Sequence, residues 1–354
     1  MSDAQSTRCH LAAHAAAYPQ AEVQDFMKYL YQSSFGCEHL LTDPSAAADY
    51  IRREAAQARP HAGDAVEPLD GAFCRVHLDM LREGLSADTL AALFVRSAEP
   101  CPDGAEALAD RLTVFEAMLA EGVFPFTAAQ AAPMLDAWRR AGFPACHHSA
   151  RFRDAYAPAY RLMKADYVRF LPLFCAVDRL LQTQERLIVA IDGGSASGKS
   201  TLGDLLADVY GCSVFHMDDY FLRPEQRTPE RYAEPGGNVD RERFAEEILL
   251  PLAHGQTVVY RPFDCSTMTV GAPVTVPATR LSVVEGAYSL HPALRDAFGL
   301  SVFLDIEPQK QAQRILLRNG EQAARIFAQR WIPLERTYYD ACRPDLAADL
   351  VIRV

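Results

Sequence analysis

The chain has 354 residues, of which 49% are hydrophobic and 23% charged, and a formal net charge of −11. That length is ample for two domains and the composition is that of a globular protein; the acidic balance argues against a general nucleic-acid or anionic-membrane binder. No apolar run reaches membrane-spanning length, the start lacks a basic-then-apolar signal, and nine scattered cysteines without a C-x-x-C pair fit reduced thiols. A cytoplasmic location is expected, with no nucleic-acid or membrane partner and room for a homo-oligomer.

Residues 1 to about 180 read as a helical domain. Alanine is abundant, and apolar residues recur at three- and four-residue spacings in "DTLAALFV" and "AEALADRLTVFEAML". Thr127 with Gln130 makes a capping box for "AAQAAPMLDAW". Convincing β-branched or alternating runs are missing, so an all-α domain is predicted. Seven of the ten histidines fall here: His10, His14, His39, His61, His77, His147 and His148. None stands at a diagnostic metal-ligand spacing, and no structural zinc is expected. Arg151, Arg153, Tyr156, Tyr160 and Arg161 form a basic and aromatic cluster that suits either an anion or a plain helix–helix contact.

The texture changes from 181 onward. "RLIVAID", "CSVFHM", "TVVYR", "LSVVEG", "SVFLDI" and "DLVIRV" read as strands, with helices at 199–210, 241–253, 308–318 and 321–341. The alternation predicts an α/β domain over 181–354, a doubly wound parallel sheet covered by helices on both faces. No Gly/Ser-rich linker precedes it, which predicts that the two halves pack together.

At the end of the first of these strands stands "GGSASGKST", Gly193 to Thr201. Gly193, Gly198, Lys199 and Ser200 satisfy G-x-x-x-x-G-K-[ST] between a strand and a helix. The glycines let backbone amides turn toward phosphate oxygens, and the helix that follows points its positive end at them. Gly193, Gly194, Ser195, Ala196, Ser197, Gly198, Lys199, Ser200 and Thr201 are therefore the predicted nucleotide-binding loop. Lys199 would reach the β/γ-phosphates and Ser200 a Mg²⁺ ion. No N-K-x-D guanine reader follows. The second strand runs into "FHMDDYFLRP", which places Asp218 and Asp219 at the carboxyl edge of the sheet, where one carboxylate can accept a proton from an attacking hydroxyl. In an extended segment the two would point to opposite sides. Glu285 ends another apolar strand and suits a metal or a water. Arg314 and Arg318, four apart on one helix face, and Arg325 beyond Asn319-Gly320 suit a basic lid over a transferring phosphoryl group, or a solvated face.

Taken together, these residues resemble the uridine kinase and phosphoribulokinase family of P-loop kinases over roughly 186–354. "GGSASGKST" is close to its phosphate loop. "MDDYF" is similar to its Q-D-S-F-Y segment, "YRPFD" to P-x-Y-D-F, "VVEGAYSL" to E-G-I-L, and the arginine stretch to its R-R-x-x-R-D-x-x-x-R-G-R lid. The resemblance implies Asp218 as catalytic base, with Lys199 and Arg318 as its catalytic partners. It implies Glu285 with Ser200 on the metal side and Arg314 and Arg325 on the nucleotide. Asp219, Asp240 of "GGNVD", Arg261 and Asp264 fall on the acceptor side. Ile315 and Ala323 stand where the lid motif has further arginines, and Met268 where uridine kinases have a base-contacting histidine. The expectation is an ATP- and Mg²⁺-dependent kinase acting on a hydroxyl of a nucleoside-like or polyol metabolite, its acceptor site shaped or guarded by the helical half. The rival is a nucleotide-sensing regulatory protein whose helical half engages a partner.

Overall fold

The segments Phe73–His77 and Tyr160–Lys164 carry arginine, histidine and lysine among their apolar residues, yet both are strands. In this computed structural model, which describes residues 3–41 and 43–354, the chain divides into two units, Met1–Cys175 and Ala176–Val354. In the first unit β1 (Val66–Pro68), β2 (Phe73–His77) and β3 (Tyr160–Lys164) form an antiparallel sheet in the order β1-β2-β3. The predicted all-α domain is thus corrected to helices around a small sheet. Every residue of β2 is buried, so it has no solvent face and shows no polar/apolar alternation. β3, "YRLMK", has no β-branched residue.

The charge on β2 is tolerated because it is paired. Arg75 is 1% exposed. Its guanidinium donates to Gln32 Oε1 at 3.0 and 2.8 Å and to the Glu67 carboxylate at 3.2 Å, and it lies 4.9 Å from the Tyr160 ring centre. Burial alone would raise the Glu67 carboxyl, but Arg75, His14 and His77 outweigh that effect and hold it well below the usual range. Helices Val23–Phe35, Gly104–Ala120 and Ala128–Arg140 bury Phe26, Leu30, Phe115, Met118 and Trp138 in the accompanying core. The Thr127/Gln130 capping box forms as the sequence indicates.

In the second unit β4 (Leu187–Gly193) is buried at every position but Ile188, as a central parallel strand requires. After β5 (Ser213–His216) come two short ribbons: β6 (Val258–Tyr260) pairs with β9 (Val274–Val276), and β7 (Phe263–Asp264) with β8 (Thr269–Val270). β10 (Leu281–Glu285), β11 (Leu300–Asp305) and β12 (Leu350–Arg353) complete a five-stranded, wholly parallel sheet in the order β12-β11-β4-β10-β5. The strand read from "TVVYR" is real but lies outside this sheet. It is three residues long with Val259 55% exposed, too short and too wet for a central position. The chain leaves β4 toward β5 and later crosses to β11, so the strand order reverses at β4, and its carboxyl end is the natural ligand crevice. No helix among the described residues is long and apolar enough to cross a membrane.

Candidate functional site

The loop after β4 has the backbone that phosphate binding needs. Gly193 (φ 147) and Gly198 (φ 99) occupy positive φ, and a Cβ on Gly193 would stand 2.6 Å from the Leu304 carbonyl oxygen. Gly198 opens the helix Lys199–Tyr210 with no side chain capping it, so its first-turn amides are left to a ligand. Lys199 Nζ lies across the loop and donates to the carbonyls of Gly193 and Gly194 at 2.9 and 3.0 Å; one of its three donors remains for a phosphate oxygen. Ser197 Oγ is buried in the loop with no hydrogen-bond partner among the described residues.

Residues far along the chain hold this loop, and the sequence does not announce them. Glu335 Oε1 accepts from the Ser195 amide at 3.0 Å and from its hydroxyl, while Gln311 Nε2 donates to the Ser195 carbonyl and to Glu335 Oε2, both at 3.1 Å. Arg314 donates to the Ala196 and Ser197 carbonyls at 3.3 and 3.4 Å, so this predicted lid arginine lies against the loop. Asp192, fully buried, accepts from the amides of Gly193, Tyr288 and Leu290 and from the Tyr338 hydroxyl at 2.6, 3.3, 2.9 and 2.8 Å. Burial raises its carboxyl despite these donors. It ties β4, the turn after β10 and the helix Ile332–Cys342 into one frame.

The metal-side pair comes together. Ser200 Oγ donates to Glu285 Oε1 at 3.0 Å, and His216 Nδ1 stands 2.6 Å from the same oxygen. The hydrogen bond to Glu285 raises the His216 imidazole against the opposing effect of burial. A hydroxyl beside a buried carboxylate at the mouth of a phosphate loop is a hard-oxygen donor set, and it fits Mg²⁺.

Asp218 and Asp219 lie on a single 3₁₀ turn, Met217–Tyr220, directly after β5. This corrects the extended geometry expected of the pair: on such a turn successive side chains diverge by about a third of a circle. Their surroundings still differ. The Asp218 carboxylate is open to solvent yet densely surrounded, as on a cleft floor. Desolvation raises it, Lys199, His216 and Arg318 act against that, and Glu285 adds to it. Asp219 is raised by burial and by Asp218 and Glu285, with His216 and Arg243 opposing. Lys199 and Arg318 thus act on Asp218.

The other predicted residues are placed as follows. Arg318 Nε donates to Asn319 Oδ1 at 2.8 Å on the exposed face of the helix Pro308–Ile326. Arg325 lies beyond a break at Gly320 (φ 77, ψ 172), exposed and 3.5 Å from Glu321. Ile315 is buried, so that position of the lid helix serves the core. Asp240 is buried: it caps the Arg243 amide at 3.2 Å and accepts from Gln226 at 2.8 Å. Asp264 is exposed and turns back on the Ser266 amide at 2.7 Å. Arg261 is exposed, and its carbonyl accepts from Arg243 at 2.7 Å. Among the described residues no group of three or more His, Cys, Asp or Glu is placed to hold a metal in either unit.

No family model matches the chain. Solved structures similar to about half of it include a possible uridine kinase from Bacillus stearothermophilus, 24% identical with a TM-score of 0.42, covering 52% of this chain and 98% of that one. A provisionally named fructose transport system kinase from Silicibacter sp. TM1040 is 26% identical with a TM-score of 0.42, over 50% and 94% of the two chains. A gluconokinase from Sinorhizobium meliloti 1021 is 18% identical with a TM-score of 0.28, over 48% and 83%. The P-loop character of the second unit stands on its own strand order and loop geometry.

Proposed function

We propose that the second unit is an ATP- and Mg²⁺-dependent kinase that transfers the γ-phosphoryl group to a hydroxyl of a small metabolite, with nucleoside-like and polyol acceptors as the leading class. The observation that carries this reading is the setting of Asp218: a solvent-open carboxylate at the carboxyl edge of the sheet, under the influence of Lys199 and Arg318 and of the Glu285 pair. Lys199 and the first-turn amides would bind and orient the β/γ-phosphates. Ser200 and Glu285 would hold Mg²⁺, which would supply charge neutralisation for the triphosphate. Asp218 would orient the acceptor hydroxyl and take its proton, while Arg314 and Arg318 offset charge developing on the transferred group.

The test is acceptor-stimulated ADP release over a metabolite panel, run on three proteins. Lys199→Ala should weaken nucleotide binding and transfer together. Asp218→Asn should spare ATP binding and lower transfer by about 10²–10⁴-fold. Asp219→Asn should keep most turnover. Normal turnover in Asp218→Asn would remove the base assignment, and ATP binding without any acceptor would favour the sensing reading instead.

A further inference from the structure

The basic and aromatic cluster near the end of the first unit is not absorbed by the kinase reading. Arg153, Tyr160 and Arg161 line a cavity of about 560 Å³ that lies wholly within that unit. Lys28, on the helix Val23–Phe35, lines it too. The residue is 8% exposed, and among the described residues its ammonium makes one hydrogen bond, to the Cys146 carbonyl at 3.2 Å. Burial, with Arg75 adding, lowers the ammonium to about 8. Arg153 donates to the His148 carbonyl. Neither Lys28 nor Arg153 has a carboxylate within ion-pair distance among the described residues.

The acids nearby make their hydrogen bonds elsewhere, although Asp43 lines the cavity with no cation paired to it among the described residues. Glu54 pairs with Arg161 at 2.8 Å. Asp43 accepts from the Ser45 amide and hydroxyl at 2.9 and 2.6 Å. Asp25, behind the wall, accepts from the amides of Glu22 and Ser149, the Ser149 hydroxyl and His148 Nδ1, all between 2.7 and 2.9 Å. The wall itself is directional. Because His148 Nδ1 donates to Asp25, Nε2 of the neutral ring accepts from the Tyr160 hydroxyl at 2.8 Å, with Gln32 Oε1 a longer second acceptor at 3.4 Å; that hydroxyl accepts from Gln32 Nε2 at 3.2 Å, and Gln32 Oε1 accepts from Arg75. Each group in this chain is hydrogen-bonded to the next, so the wall is preorganised. Leu40, Leu41, Tyr50, Phe94 and Pro158 supply an apolar lining.

A buried ammonium without a counter-ion destabilises a fold, and a bound anion removes that cost. We infer that this cavity is a binding site for a phosphate monoester with an apolar or aromatic body, the phosphate on Lys28 and Arg153 and the body against the apolar wall. Across the lining Lys28, Arg153 and Arg161 outnumber Asp43 and Glu54 by one positive charge, and the Lys28 ammonium with the solvent-facing Arg153 guanidinium offers the several donors that the three oxygens of a phosphate monoester accept, more than a carboxylate can use.

The test uses the full chain carrying Lys199→Ala, which weakens the phosphate loop of the second unit. Isothermal titration compares phenyl phosphate, benzoate and phenol as probes. Phenyl phosphate should bind saturably at one site, at least tenfold more tightly than benzoate, with no binding of phenol. Adding Lys28→Met should weaken phenyl phosphate at least tenfold and leave the ligand-free melting temperature unchanged or higher, since a desolvated charge is removed. Should Lys28→Met not fold, Arg153→Gln carries the same binding expectation. No saturable binding, equal binding to the Lys28→Met and Arg153→Gln variants, or displacement of the probe by ATP would each overturn the site. Benzoate binding as tightly as phenyl phosphate would overturn the phosphate assignment.

Discussion

At the scale of single residues, the site separates two adjacent acids by what surrounds them. Asp218 shares its cleft with Lys199 and Arg318, whereas Asp219 has Arg243; His216 acts on both. Both carboxyls are raised above the ordinary value of 3.8, chiefly by desolvation. A general base works only when deprotonated. On the proposed base assignment the acid limb of kcat/KM should therefore fall away at an apparent pKa above 3.8, as the Asp218 carboxylate gains a proton of its own. Replacing Lys199 by Met removes a charge that lowers this carboxyl, so the residual activity should titrate at a still higher pH. A pH–rate profile on wild type and Lys199→Met checks both. An acid limb that stays in place or moves downward in the variant would show that Lys199 does not act on the base. The pair itself was legible because both acids follow an apolar strand immediately in sequence. Their separation was not, because it depends on a 3₁₀ turn and on cations brought in from other elements.

At the scale of elements, the phosphate loop is a short continuous stretch, and its glycines, lysine and serine can be read directly. Its support cannot. Glu335 and Gln311 reach Ser195 from 140 and 116 residues away, and nothing in "PLERTYYD" or "PQKQAQ" marks a buried carboxylate or amide. The sheet of the first unit was hidden for the opposite reason: β2 is short and buried on both faces, so its pattern is indistinguishable from a buried turn of helix. The arginine-bearing helix Pro308–Ile326 was read correctly as interrupted near Asn319-Gly320, because only glycine sits comfortably at the φ 77, ψ 172 found there. That break separates Arg314 and Arg318 from Arg325, and the distal segment continues through Phe327–Trp331 into the helix Ile332–Cys342. Nothing lies within 4 Å of a Cβ built on Gly320, so Gly320→Ala tests backbone conformation without a packing clash. Strain of about 1–3 kcal/mol at such a position should push the chain toward a straight helix and carry Arg325 off its course. Turnover should fall by roughly 5- to 100-fold, with ATP affinity within a few-fold of wild type. Unchanged turnover would show that the bend has no part in placing the distal arginine.

At the scale of the whole molecule, the two units carry titrating groups of opposite sense. In the first unit buried His14 and His148, half-buried His61 and solvent-open but closely surrounded His39 are all lowered from 6.5, desolvation being the largest cause for each. A group lowered on folding takes up its proton first in the unfolded chain, so stability is lost as pH falls below 6.5. For His148, 7% exposed and lowered to about 4, the loss approaches about 3 kcal/mol by pH 4. In the second unit His216 is raised by Glu285, so its contribution is complete below 6.5 and disappears only as pH rises through the folded value. Asp192, Asp218 and Asp219 are raised as well, so the folded form binds their protons first and gains as pH falls through their folded values; His291, lowered by burial, opposes this. Mild acid should therefore weaken the first unit and spare the second. The chain's two tryptophans report separately, Trp138 in the first unit and Trp331 in the second. Thermal melts followed by fluorescence in Trp331→Phe and Trp138→Phe, each at pH 7.0 and 4.5, read one unit at a time. The Trp138 signal should lose roughly 5–10 °C over that interval, while the Trp331 signal moves by much less or rises. Equal downward shifts would mean that these histidines of the first unit do not control its response to acid, and a larger loss at Trp331 would reverse the assignment between the units.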